Sequence, residues 1–165
     1  MNNILEVKDL TMHYETIDGD VEAVKNISFN VGPGESFGIV GESGCGKTSV
    51  AMSLLQLQAE NGKITNGSIL FNGIELVGMS ENDLRKVRWD GMSIVFQGAM
   101  NAWNPVVKIG EQIREAMREH YPESSKSQNT DKINELFAMV GLDPLVADRF
   151  PHELSGGMKQ RAIIA

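Results

Sequence analysis

Eight residues, Gly41-Glu42-Ser43-Gly44-Cys45-Gly46-Lys47-Thr48, constrain this chain more than any other part of it. They fit G-x-x-x-x-G-K-[ST] and stand between two predicted elements. Before them, the apolar run Phe37-Gly38-Ile39-Val40 reads as a buried strand; after them, Thr48 to about Gln58 reads as a helix. Strand, glycine loop and helix together are what a phosphate-binding loop requires. Glycines let the backbone bend until successive N–H groups face one anion, and the following helix adds its positive end. Lys47 then bridges the β and γ phosphates of a nucleotide. Thr48 offers its hydroxyl to a magnesium ion whose other ligands are phosphate oxygens and water. With 17 glycines in 165 residues, composition alone would fill the four fixed positions in roughly one such chain in a hundred.

The rest of the chain is arranged around that nucleus. Alternation at Leu5/Val7 and at Ile27/Phe29/Val31 predicts half-buried strands, with Asp18-Gly19 as a hairpin signal, so residues 1–40 read as a mostly antiparallel β region. Residues 41–58 are the loop and its helix. Ser68 to Phe71 reads as a strand ended by Asn72-Gly73, and Ser80 caps a short helix with Asp83 three residues on. Met92 to Phe96 reads as another buried strand, and Gln97 opens a loop over 97–105. Residues 106–165 form a helical segment: Ile109/Ile113/Met117 and Ile133/Leu136/Phe137/Val140 mark two amphipathic helices. The second is predicted to be capped by Thr130 and stopped by Gly141, after a polar connection from Pro122 to Asn129.

A net charge of −7, with the acidity gathered in residues 1–40 and no run of Lys or Arg, argues against a nucleic-acid backbone as partner. The lone Cys45 excludes an intrachain disulfide and a multi-cysteine zinc site. His13, His120 and His152 are too far apart in sequence to suggest a metal cluster. No apolar run approaches the ~20 residues of a membrane helix, and Glu6, Lys8 and Asp9 interrupt any signal-peptide core. The expectation is a soluble, unexported chain.

A second constellation runs from Phe150-Pro151-His152-Glu153 through Leu154-Ser155-Gly156-Gly157-Met158-Lys159-Gln160-Arg161. Ser155 and two glycines open what reads as a helix, which implies another anion site. Taken with the first loop, this resembles the ABC transporter ATPases, whose phosphate loop, glutamine loop and LSGGQ signature occur in this order. The resemblance spans essentially the whole chain. Met158 replaces the signature's usual Gln, a variant similar to the LSGGMRQR form of peptide and nickel importers. Gly-Glu-Ser-Gly at 41–44, Phe96-Gln97 with Asn104-Pro105, and Phe150 to Glu153 resemble the same branch.

The resemblance implies an α/β fold, a P-loop NTPase of the ABC type with an N-terminal antiparallel β region and a helical, signature-bearing segment. It implies ATP and Mg2+ as cofactors, with Lys47 and Gln97 catalytic and Thr48 and Gln97 at the metal. Gln97 would also face the membrane subunits. Gly98-Ala99 stand where the branch more often has Asp-Pro. Trp103, close to the branch's usual Leu, either meets the membrane partner or packs locally. Tyr14 matches the aromatic that stacks on adenine, a contact of ~1–3 kcal/mol. The nucleotide would be held by Gly41, Ser43, Gly44, Cys45, Gly46, Lys47, Thr48 and Ser49 of one chain. Ser155, Gly156, Gly157 and Gln160 of a second ATPase subunit, identical or not, would close over it.

Transmembrane permease subunits complete the implied assembly, at the cytoplasmic face of the membrane, with dipeptides or oligopeptides as the nearest cargo and nickel or another solute as the alternative. In the family an apolar strand ending in Asp-Glu follows the signature, and this sequence ends eight residues past Gly157. The expectation is therefore a partial ABC ATPase domain over 1–165, C-terminally truncated and inactive alone. A nucleotide-binding module without turnover is the reading from another class. A relative acting on DNA or ribosomes is the third, opposed by the importer-like signature and the acidic balance.

Overall fold

One strand, β1 (Leu5–Thr16), sends Leu5 and Val7 and then Leu10 and Met12 into a single core, although a strict period of two would put the second pair on the opposite face. A bulge between Val7 and Leu10 resolves the mismatch. Asp9 takes a left-handed φ of 48° there, its N–H donating to Ser28 Oγ at 2.8 Å while its Oδ1 accepts from that hydroxyl at 3.2 Å. Gly67 lies across the bulge at φ +98°, where a Cβ would sit 2.5 Å from the Lys8 carbonyl oxygen. Only glycine lets the strands approach so closely.

The computed structural model describes residues 3–96 and 98–165, apart from the side chains of Trp89 and Met100. They divide into two units, split between Ser93 and Ile94. In the first, β1 pairs on one side with β2 (Gly19–Val31) and on the other with β3 (Gly62–Phe71), which carries the short β4 (Ile74–Glu75). The order is β2-β1-β3-β4, antiparallel throughout. The helices α1 (Lys47–Leu54) and α2 (Glu81–Asp90) give Val50 and Leu84 to the same core. Arg88 of α2 donates to the carbonyls of Leu55 at 2.7 Å and Gln56 at 2.6 Å and pairs with Glu81 at 2.7 Å. It thereby satisfies carbonyls just past the end of α1 and steadies the helix whose other end carries Lys47.

The second unit packs α3 (Ile109–His120), α4 (Lys126–Met139) and α5 (Gly156–Ile164) around Ile109, Met117, Ile133, Phe137, Leu142, Val146, Leu154 and Ala162. Of the residues that set the predicted helix faces, Ile109, Met117, Ile133 and Phe137 fill the core and Ile113 and Val140 pack against it. Ser80 caps α2 through the Asp83 N–H, and α4 ends just before Gly141, both as the sequence predicts.

Five local expectations need correction. Phe37 to Val40 is not a buried strand: it is chain without regular secondary structure, with Val40 95% exposed. A strand needs a neighbour for its N–H and C=O groups, and among the described residues none pairs with this one. Phe37 instead stacks on Phe29, ring centroids 4.8 Å apart. Met92 to Phe96 likewise forms no strand, and Val95 and Phe96 are exposed. The hairpin turn is Ile17-Asp18, because Thr16 pairs with Gly19. The first helix stops at Leu54, short of Gln58. Ser125, not Thr130, caps α4: its hydroxyl accepts from the Gln128 N–H while the Gln128 side chain accepts from the Ser125 N–H, a reciprocal box that starts the helix five residues earlier. Thr130 bonds back to the Lys126 carbonyl inside the helix.

Candidate functional site

The loop from Gly41 to Gly46 follows that irregular chain and turns into α1 at Gly46, whose φ is +93°. A Cβ on Gly46 would stand 2.2 Å from the Ala23 carbonyl oxygen, so backbone packing and dihedral both require glycine here. Lys47 then curls back over its own loop, its ammonium donating to the carbonyls of Gly41 at 2.8 Å and Glu42 at 2.5 Å. Cys45 is exposed, with Sγ 3.5 Å from the same ammonium.

A cleft of about 440 Å³ opens beside this loop, lined by Gly44 through Ser49 together with Tyr14, Val21, Glu22 and Ala23. Of the predicted nucleotide set, the structure therefore gathers Tyr14, Gly44, Cys45, Gly46, Lys47, Thr48 and Ser49 in one place. Gly41 holds the lysine, and Ser43 is exposed in the same loop without lining the cleft. Tyr14 is half-buried and its hydroxyl meets Ser49 Oγ at 3.2 Å. That bond joins β1 to the first turn of α1, a contact sequence reasoning did not anticipate. At the rim, hydrogen bonds from Lys25 and then His13 hold the Glu22 carboxyl below its usual range.

Chemically, the cleft offers backbone N–H groups, a helix N-terminus and one ammonium to an anion, a hydroxyl at Thr48 to a hard cation, and an aromatic face. Those donors fit a phosphate chain with Mg2+ on its oxygens. No group of three or more His, Cys, Asp or Glu among the described residues could hold a metal by itself.

In the second unit Ser155 caps α5, its hydroxyl accepting from the Met158 N–H at 3.3 Å. Ser155, Gly156, Gly157 and Gln160 are all exposed, while Met158 turns inward and packs against the core. Arg161 donates to the Gly141 carbonyl at 2.7 Å and so ties α5 to the end of α4. Ahead of the cap, Glu153 accepts from the Phe150 N–H at 2.7 Å and pairs with Arg149 at 3.1 Å. These bonds, the backbone one foremost, hold its carboxyl below the usual range. A depressed pKa stabilises the fold above the unfolded-state pKa, and that stabilisation disappears as pH falls through the folded-state pKa. Glu153→Gln is accordingly expected to melt below wild type at neutral pH and to converge with it in acid, as thermal melts across pH would show.

Gln97 lies outside the described residues. The loop that follows it is pinned by a side chain the sequence gave no reason to single out. Gln112 of α3 accepts from the Asn104 N–H at 2.9 Å and donates to the carbonyls of Asn104 at 3.0 Å and Val107 at 2.8 Å. Trp103 packs against the helical core and donates to the Lys159 carbonyl at 3.2 Å, linking this loop to α5. Gln112→Ala is expected to accelerate hydrogen exchange at the Asn104 amide at least about tenfold and to cost about 0.5–1.5 kcal/mol in denaturant unfolding. Unchanged exchange at Asn104 would contradict the pinning.

Residues 24–165 match the family described as ABC transporter. The chain is 38% identical over 164 residues to the dipeptide transport ATP-binding protein DppD of Lactococcus lactis subsp. cremoris, covering 98% of this chain and 47% of that protein. It is 40% identical over 163 residues to the oligopeptide transport ATP-binding protein OppD of Escherichia coli K12, covering 98% of this chain and 48% of the relative. The chain thus spans about half the length of the curated relatives it matches. Among solved structures, a dimeric post-hydrolysis state of the ATP-binding cassette MJ0796, bound to ADP and Pi, superposes with a TM-score of 0.81 at 27% identity over 97% of this chain and 67% of that one.

Proposed function

The chain belongs to the ABC transporter family, and on that premise we propose that it is the ATP-binding part of a subunit that hydrolyses ATP to power import of dipeptides or oligopeptides. The observation that carries the nucleotide half of this reading is the single cleft in which Tyr14 stands beside Gly44 to Ser49. The names of the relatives, dipeptide and oligopeptide transport ATP-binding proteins, support the cargo. Nickel or another solute is the alternative under the same signature.

In this reading Lys47 exchanges the Gly41 and Glu42 carbonyls for β- and γ-phosphate oxygens, so the ammonium is charge-paired only when nucleotide is bound. Backbone N–H groups of the loop and the N-terminus of α1 face the remaining phosphate oxygens. Thr48 presents its hydroxyl to Mg2+, which supplies charge neutralisation at the phosphates when bound. Tyr14 stacks on adenine. Ser155, Gly156, Gly157 and Gln160 close over the nucleotide of a second ATPase subunit, identical or not. Gln97, outside the described residues, would serve the metal and the attacking water and the contact with the transmembrane permease subunits, with the assembly at the cytoplasmic face of the membrane. No helix of the described residues is itself long and apolar enough to cross one.

Phosphoryl transfer rests on positioning and charge stabilisation. The 165-residue sequence has no Asp-Glu pair to orient water and hold the metal. Residues 1–165 alone are therefore expected to bind MgATP without turnover above background.

The test is equilibrium binding of MgATP to wild type, Tyr14→Ala and Tyr14→Phe at matched folded fraction. Loss of the ring should weaken binding by about 5- to 150-fold, the equivalent of ~1–3 kcal/mol of stacking. Tyr14→Phe keeps the ring, loses only the bond to Ser49, and should stay within about tenfold of wild type. Equal affinity of Tyr14→Ala and wild type would remove Tyr14 from the site.

A further inference from the structure

A third cluster of charge lies in the second unit, remote in sequence from both glycine motifs, where α3 gives way to α4. Glu111, Arg114 and Arg118 project from one face of α3, spaced three and four residues apart. With Ser124, Lys126 and Asn129 they line a hollow of about 210 Å³. Three cations meet one carboxylate there, in a chain whose net charge is −7.

An ordinary ion pair accounts for part of this. Arg114 Nη2 donates to Glu111 Oε1 at 2.9 Å, and Arg118 Nε donates to the Arg114 carbonyl at 3.3 Å. Two features are left over. The Arg114 side chain is only 15% exposed, and its Nε is buried without a hydrogen-bond partner. Buried N–H groups in native proteins are nearly always paired, with protein, water or an ion. The second feature is the convergence of charge: Arg118 and Lys126 both act on the Glu111 carboxyl, helping Arg114 to hold it below its usual range, so all three cations bear on one point. The hollow is polar on its far side as well, where Asn129, 4% exposed, accepts the Ser124 hydroxyl at 2.7 Å.

We infer that this hollow binds a phosphate group, with Arg114, Arg118 and Lys126 supplying the charge and the guanidinium edge of Arg114 supplying paired donors. A tetrahedral dianion carries enough acceptors for all three side chains, and its charge matches the excess of two among the residues that line the hollow. The same group could arrive as free phosphate or as the headgroup of an anionic lipid.

The experiment uses the full chain, isotope-labelled and carrying Lys47→Ala, so that the glycine loop does not mask the response. Inorganic phosphate is titrated at constant ionic strength set with chloride, and a second arm uses vesicles containing phosphatidic acid, whose phosphomonoester carries the dianion, with phosphatidylcholine vesicles as control. Saturable shifts of the Arg114 Nε–H and of the amides of 124–129 are expected. Arg118→Gln combined with Lys126→Gln should weaken them at least tenfold without moving the thermal melt, because both residues are exposed. Arg118→Lys should retain binding. Saturation by free phosphate alone identifies the soluble ligand; capture by phosphatidic acid vesicles, competed by phosphate, identifies the headgroup. Absence of both responses in the folded chain, or responses indifferent to the double substitution, would overturn the site. Either failure leaves the nucleotide reading untouched, since that cleft belongs to the first unit and is tested through Tyr14.

Discussion

Gly46→Ala is expected to abolish measurable nucleotide binding while leaving the antiparallel sheet folded. Two costs fall on the same atom. An alanine at φ +93° takes up a left-handed conformation that costs roughly 1–2 kcal/mol, and its Cβ would overlap the Ala23 carbonyl oxygen at 2.2 Å. The overlap cannot be relieved by rotating a side chain, because the obstacle is the backbone of β2. The loop must move instead, and the first turn of α1 moves with it. Gly34 is the control: it also has positive φ, at +70°, but nothing lies within 4 Å of its Cβ position. Gly34→Ala therefore carries the dihedral cost without the clash. Thermal melts and MgATP titrations of the two variants should separate them, with binding lost only in Gly46→Ala.

Lys47→Ala is expected to weaken MgATP binding by roughly 10- to 150-fold, the equivalent of the ~1.5–3 kcal/mol that a hydrogen bond to a charged group contributes. Stability should change little. The ammonium is bonded to the Gly41 and Glu42 carbonyls, and both of those residues are exposed, so water replaces the lysine once it is gone. Stability and affinity thus separate in this variant, whereas Gly46→Ala disturbs the loop itself. Lys47→Arg should fall between, because a guanidinium keeps the charge but not the compact shape of the ammonium.

The parts of the molecule legible in the sequence were those governed by local rules. The glycine loop could be read because four positions at fixed spacing meet a chemical requirement, and Ser80, Gly141 and the core face of α3 could be read because caps and helical periodicity act within a few residues. Phe37 to Val40 was misread because an apolar run announces that a segment is suited to burial, not that a neighbouring strand is available to pair with it. The bulge at Asp9 was invisible because it depends on Ser28 and Gly67, each distant in sequence. Thr130 is the wrong cap because the polar stretch from Pro122 to Asn129 reads as a connection, whereas the Ser125 and Gln128 pair inside it already begins the helix. Gln112 and the Tyr14 hydroxyl went unnoticed for a related reason. Their partners, the Asn104 backbone and Ser49, come within reach only once the chain has folded.

The central claim is that Tyr14 and residues 41–49 form a nucleotide site. Its most direct test is a titration of the isotope-labelled chain with MgATP, followed residue by residue in a proton–nitrogen correlation spectrum, with the Tyr14 ring followed alongside. The account predicts saturable shifts concentrated at Gly44 to Ser49 and at the Tyr14 ring, and their loss in Lys47→Ala. A folded chain whose Gly44 to Ser49 amides do not respond to MgATP, or that saturates at other residues with these unmoved, would contradict it.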